Sequence, residues 1–82
     1  MKAQTTGGGW IPAKHGGRDI FQMFLRLETG KSARTYIDPQ NRNSKRWKEI
    51  VSKVENGHNV DIQGIVMKRD DLVNADSFVE II

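Results

Sequence analysis

The chain has 82 residues, no cysteine and a net charge of +3 at pH 7. A chain this short forms one domain with one core, and the lack of thiols excludes disulfides, thiolate metal sites and a cysteine nucleophile. No apolar run is long enough for a membrane span, and no signal-peptide apolar segment follows Met1. We therefore expect a cytoplasmic protein that does not associate with membranes.

Charge is distributed unevenly along the chain. Residues 1–48 contain ten lysines and arginines against three acids, whereas residues 49–82 contain three against seven. This polarity predicts one electropositive surface, which favours a polyanionic partner. Chance asymmetry is the alternative, because charge is uneven in many small proteins.

Residues 1–17 are rich in glycine and predict a flexible arm, and residues 18–82 are expected to form a single small β-barrel domain. Trp10 and Ile11 are the exception within the arm. This apolar pair is expected to dock on the core as an edge strand or a cover. A free Trp10 that orders on binding is the alternative.

Residues 20–37 predict a two-stranded hairpin, because apolar and polar positions alternate on both sides of a turn. The apolar positions of the first strand are Phe21, Met23, Leu25 and Leu27. A three-residue loop over residues 29–31 keeps this face apolar in both strands, whereas a two-residue turn places Arg34 in it. The three-residue loop is therefore predicted.

The opposite face of the hairpin carries aromatic and basic side chains. The predicted register sets Phe24 beside Tyr36 and Arg26 beside Arg34, and two opposed arginines favour an anion between them. Both rings are either covered, by the arm or by the last strand, or exposed for binding. The sequence leaves these two alternatives open.

A helix is predicted over residues 44–56. Asn43 or Ser44 suits its N-cap, and Asn56-Gly57 supplies the stop. Its apolar stripe, at i, i+3, i+4 and i+7, consists of Trp47, Ile50, Val51 and Val54. Basic residues in the first turn oppose the helix dipole, which indicates a purpose other than stability.

Two strands are predicted after the helix. The first carries Val60, Ile62 and Val66 on one face and is bent or bulged at Gly64. The second spans residues 72–82, with a break near Asn74-Ala75-Asp76.

Neither a metal site nor a catalytic site is expected. His15 and His58 are the only histidines, and neither has a cysteine, histidine or carboxylate at metal-ligand spacing. Gly30-Lys31-Ser32 ends like a P-loop but lacks the first glycine and the following helix. Because no nucleophile, base and orienting group form a set, we expect a non-enzymatic protein without a cofactor.

The basic aromatic surface is typical of single-stranded nucleic-acid binding, in which rings stack on bases and cations follow the phosphates. The expected binding residues are Phe24, Arg26, Arg34, Tyr36, Arg42, Lys45, Arg46 and Lys48. The alternative is a protein-interaction module, an inhibitor or assembly factor, because aromatic residues and arginine are also enriched at protein interfaces. The sequence does not choose between DNA and RNA, and it is compatible with a homodimer.

Residues 45–82 resemble the second half of small OB-fold single-stranded DNA-binding proteins. In that family a G-x-x-V-x-(V/I)-x-G strand follows a helix, and residues 57–64 match it. The compact size and the lack of an acidic tail are similar to accessory proteins of phages or mobile elements. In that OB-fold family the helix follows the third strand, whereas only two clear strands precede the helix here, so an SH3-like barrel is the alternative. We expect a mainly β fold with one helix (α+β), a small OB-like or SH3-like β-barrel. Its expected order is β-β-α-β-β, with an extra N-terminal strand if the Trp10 region pairs.

Overall fold

The computed structural model describes residues 1–13, 17–41 and 45–82. The strands of this part of the chain are β1 (Ala3–Ile11), β2 (Ile20–Leu27), β3 (Ser32–Ile37), β4 (Asp61–Gln63), β5 (Met67–Arg69), β6 (Leu72–Val73) and β7 (Glu80–Ile81). One helix, α1 (Lys45–Glu55), lies between β3 and β4 in the chain. The fold is therefore mainly β with one helix, as predicted.

All the strands belong to one sheet, in the order β5-β6-β3-β2-β1-β4-β7. Neighbouring strands are antiparallel except β3 and β6, which pair in parallel through Arg34 and Leu72. Strand β1 pairs with β2 along its length and with β4 at Ala3 and Gln4. The sheet curls into a half-barrel around the core.

The core combines the inward residues of the first three strands with the apolar stripe of α1. All four predicted positions of β2 are buried, and so is the whole helical stripe. Trp47 is 0 % exposed, so the prediction that its ring packs in the core is confirmed. Each large apolar side chain buried in this way contributes about 1.5–3 kcal/mol.

Helix α1 ends as its sequence predicts. The N–H of His58 donates to the carbonyl of Lys53 at 2.8 Å, and the N–H of Gly57 donates to the carbonyl of Val54 at 3.0 Å. These two bonds form a Schellman motif and satisfy carbonyls that the helix leaves free. The predicted N-cap, at Asn43 or Ser44, lies outside the described residues.

The N-terminal segment differs from the expected flexible arm, because residues 3–11 form β1. Backbone hydrogen bonds to β2, and to β4 near Ala3, offset the entropic cost of ordering its glycines. The expected docking of Trp10 and Ile11 is observed in part: both lie in β1 and the Trp10 ring meets Phe21 edge-on at a centroid distance of 5.1 Å, but the two side chains remain 44 % and 37 % exposed. The indole N–H donates to a carboxylate oxygen of Glu55.

The β2–β3 hairpin has the predicted faces but not the predicted register. The N–H of Leu27 donates to the carbonyl of Lys31 at 2.8 Å, and the N–H of Gly30 donates to the carbonyl of Leu27 at 2.8 Å. The loop therefore comprises residues 28–30, one position earlier than predicted. Gly30 accounts for this choice, because the residue closing such a three-residue loop needs a positive φ, here 87°.

This shift of the loop moves every cross-strand pair by two residues. Phe24 stands opposite Arg34, Gln22 opposite Tyr36, and Arg26 opposite Ser32. The predicted Phe24–Tyr36 and Arg26–Arg34 pairs are therefore wrong. A two-residue shift preserves parity, so all four side chains keep the outer face.

The chain after α1 is more broken than the two predicted strands. Gly64 has φ +89° and separates β4 from β5, and a Cβ at this position would overlap the carbonyl oxygen of Phe78. The bend reverses the alternation, so Ile65 is buried and Val66 is exposed, contrary to the prediction for Val66. The expected break in the last strand is present, because the Asn74 carboxamide oxygen accepts the N–H of Asp76 at 2.9 Å and turns the chain.

Candidate functional site

The outer face of β2 and β3 presents two uncovered aromatic rings. Phe24 is 45 % exposed and Tyr36 is 40 % exposed, although both lie in strands whose inward residues are buried. Neither β1 nor the segment after β5 covers them. Among the described residues neither ring stacks on another ring or on a cation. The alternative left open by the sequence is thus decided in favour of exposure.

Tyr36 is positioned by its cross-strand partner. The side-chain amide of Gln22 donates to the Tyr36 hydroxyl at 3.2 Å. This exposed bond links the two side chains across the strands, and the Tyr36 side chain remains accessible to a ligand.

Arg34 connects this face to the turn between β5 and β6. Its backbone N–H donates to the carbonyl of Asp71 at 3.0 Å, and its guanidinium lies 3.4 Å from the Asp71 carboxylate. On the other side of the same turn, Arg69 stands opposite Leu72, which stands opposite Arg34. Sequence reasoning missed Arg69 and Asp71, because only the long-range parallel pairing of β3 with β6 brings them to the site.

A shallow depression of about 210 Å³ lies at this junction. Its walls are formed by Phe24, Ser32, Ala33, Arg34 and Asp71. Aromatic surface, a guanidinium and a carboxylate thus meet in one place.

Arg26 extends the positive charge along β2. Its side chain is exposed and lines a neighbouring depression with Lys2 and Glu28. The predicted arginine pair therefore becomes two separate cations on one face.

On the β1 side of Phe24, two glycines of β1 lie next to the outer face of β2. Gly7 stands opposite Phe24 and Gly9 opposite Gln22. Apart from their neighbours in the chain, no atom lies within 4 Å of where a Cβ would stand at either position. These two positions therefore place no side chain beside Phe24 and Gln22, and Thr6, next to Gly7, is the nearest exposed side chain of β1 in sequence.

The helical cations lie elsewhere. The guanidinium of Arg46 sits 4.0 Å above the centre of the Phe78 ring and 3.6 Å from Glu80 of β7. Lys45 lines the same groove beside β7, and Lys48 is exposed on α1. In the sheet β7 is separated from β2 by β1 and β4, so these cations are not grouped with Phe24 and Tyr36. Arg42 lies outside the described residues.

Within residues 1–13, 17–41 and 45–82, no group of three or more His, Cys, Asp or Glu side chains is arranged to hold a metal ion. No helix of this part of the chain is long and apolar enough to cross a membrane. Comparisons with protein-family models, curated proteins and solved structures found no match. The described part of the chain thus forms a mainly β fold with one helix and a half-barrel sheet.

Proposed function

We propose that this protein is a non-enzymatic, single-stranded nucleic-acid-binding protein of OB type that uses the outer face of β2 and β3. The observation that carries the proposal is the pair of exposed rings, Phe24 and Tyr36, among arginines on one sheet face. Base–aromatic stacking supplies about 1–3 kcal/mol per base and needs no particular sequence.

The strand pairings support the OB assignment. When β4 with β5, and β6 with β7, are each counted as one interrupted strand, the chain has five strands with the helix between the third and the fourth. OB-folds are five-stranded barrels that bind oligonucleotides on the face of strands 2 and 3 and on the loops between strands 1 and 2 and between strands 4 and 5. Here the exposed rings lie on β2 and β3, and the β5–β6 turn contacts Arg34.

The charges on the face support a polyanionic ligand. Arg26, Arg34 and Arg69 lie on or beside it, and the exposed pair of Arg34 with Asp71 is weak enough to open. Lys45, Arg46 and Lys48 are proposed as outlying contacts that a longer strand reaches after it passes around the barrel.

Salt titration tests this proposal. Fluorescence anisotropy of a labelled oligothymidine of about 15 nucleotides, at several salt concentrations from about 50 mM upward, measures the affinity and its salt dependence. We expect log K to fall linearly with log salt, with a slope of about −2 for three phosphate contacts on a single strand. No binding at about 50 mM salt would overturn the proposal and leave the protein-interaction module as the explanation of the exposed rings.

A further inference from the structure

The depression between β2, β3 and the β5–β6 turn combines a stacking surface with a hydrogen-bond donor and acceptor. Phe24 forms one wall, and Arg34 and Asp71 form another. A carboxylate on a surface that binds only phosphates weakens binding, because the two negative charges repel each other. The position of Asp71 therefore needs an explanation beyond backbone binding.

The geometry places a stacked base next to this ion pair. Phe24 and Arg34 are directly opposed on neighbouring strands, so their Cβ atoms are about 5 Å apart. A base lying on the Phe24 ring with its edge toward β3 therefore reaches the Arg34 guanidinium and the Asp71 carboxylate. Ser32, on the same rim, supplies a hydroxyl that donates or accepts.

The ion pair between Arg34 and Asp71 does not use the full hydrogen-bonding capacity of either side chain. Its 3.4 Å separation exceeds the 2.7–2.9 Å typical of a charge-assisted hydrogen bond, and its side chains are 42 % and 51 % exposed. Their exposed atoms therefore retain hydrogen-bonding capacity for a ligand, whereas the Nε of Arg34 is buried, has no hydrogen-bond partner in the described part of the chain and is not accessible to one.

The four bases differ in how they match a guanidinium beside a carboxylate. Guanine presents an acceptor, O6, next to two N–H donors, N1–H and the exocyclic amino group, so the guanidinium donates to O6 and both carboxylate oxygens accept. Thymine and uracil offer one N–H between two carbonyls, which repel the carboxylate. Cytosine and adenine offer one amino group next to a ring-nitrogen acceptor.

Resting on the proposed function, we propose that Phe24, Arg34 and Asp71 form a guanine subsite within the single-strand interface. The ring of Phe24 stacks on the base, Arg34 donates to O6, and Asp71 accepts from the N1–H and the amino group. The remaining bases of the ligand bind through stacking and charge alone, so the protein prefers strands with a guanine at this one position.

The test compares oligothymidines of about 15 nucleotides whose central residue is thymine, guanine, adenine, cytosine or inosine. Fluorescence anisotropy at constant salt gives the Kd of each with the unaltered protein, Asp71→Asn and Asp70→Asn. Asp70 is the matched control, because it is the neighbouring carboxylate in the same turn and its replacement changes the net charge equally.

We expect central guanine to lower the Kd about tenfold relative to thymine, as a good bidentate contact does. Inosine lacks the exocyclic amino group and should lose most of this gain. Asp71→Asn should abolish the preference, and Asp70→Asn should retain it.

Equal Kd values for all five central residues, with binding intact, would overturn the guanine subsite and leave the proposed function standing. The subsite would also be overturned if Asp71→Asn tightened all five oligonucleotides equally, because Asp71 would then act only as a competitor of phosphate for Arg34. Failure of every oligonucleotide to bind would overturn the proposed function itself.

Discussion

At the residue scale, adjacent residues of β3 have opposite environments: one side chain is buried and hydrogen-bonded, and the next lies on the outer face. Thr35 is 0 % exposed, whereas the adjacent Tyr36 is 40 % exposed. The Thr35 hydroxyl donates to the carbonyl of Val73 at 3.0 Å and ties β3 to the end of β6. This buried bond helps to hold the turn that carries Asp71 next to Arg34.

Replacing Thr35 by valine should therefore lower the free energy of unfolding by about 1–2 kcal/mol, because the donor is lost while a polar group stays buried. Urea denaturation measures the change. Thr6→Val, at an exposed position of β1, is the control and should leave the unfolding free energy within about 0.5 kcal/mol. Equal effects of the two substitutions would mean that the Thr35 hydrogen bond adds no net stability.

The side chains of the site show what periodicity does and does not predict. Alternation correctly assigned Phe24, Arg26, Arg34 and Tyr36 to one face. Alternation says nothing about which residue stands opposite another, and the predicted partners were wrong by two positions. The involvement of Asp71 could not be predicted, since its distance of 37 residues from Arg34 is bridged only by tertiary structure.

At the element scale, local chemistry determines how well each segment could be predicted. Helix α1 was predicted over its described length, with its C-terminal end correct to within one residue, because an apolar stripe and the Asn56-Gly57 stop lie within its own sequence. The loop of the hairpin was displaced by one residue, because the alternation of apolar residues does not show that Gly30 has to close the loop with a positive φ. Strand β1 was not foreseen over its full length, since its glycines are ordered by pairing with β2 and β4.

Two adjacent glycines of β1 should respond to alanine in opposite directions. A Cβ at Gly8 would stand 2.5 Å from the carbonyl oxygen of Gln22 and 2.7 Å from the Phe21 ring, whereas a Cβ at Gly9 meets nothing within 4 Å. We expect Gly8→Ala to destabilise the protein by about 1–3 kcal/mol through overpacking. Gly9→Ala should be neutral or stabilising by up to about 1 kcal/mol, because alanine reduces the entropy of the unfolded chain.

Thermal unfolding of the two variants measures this difference. Both carry the same chemical change in the same strand, so each serves as the control of the other. A loss of stability in Gly9→Ala equal to that in Gly8→Ala would contradict the packing described for β1.

At the scale of the whole molecule, the fold separates two groups of exposed aromatic and basic residues. One group lies on β2 and β3 around Phe24, and the other lies beside β7, where the guanidinium of Arg46 contacts one face of the exposed Phe78 ring. The sequence predicted a single basic surface, because it contains no information on which side of the curled sheet the helix places its cations. The coarse class, mainly β with one helix, was confirmed, since it depends only on local patterns.

This separation provides the most direct test of the central claim, that the outer face of β2 and β3 binds single strands. Phe24 and Phe78 are both exposed phenylalanines, 45 % and 66 %, so their replacement by alanine should change the unfolding free energy by less than about 1 kcal/mol in each case. Anisotropy titration of an oligothymidine should then give a Kd raised about tenfold for Phe24→Ala and nearly unchanged for Phe78→Ala. Unchanged affinity for Phe24→Ala, with a loss for Phe78→Ala, would contradict the account and place binding beside β7.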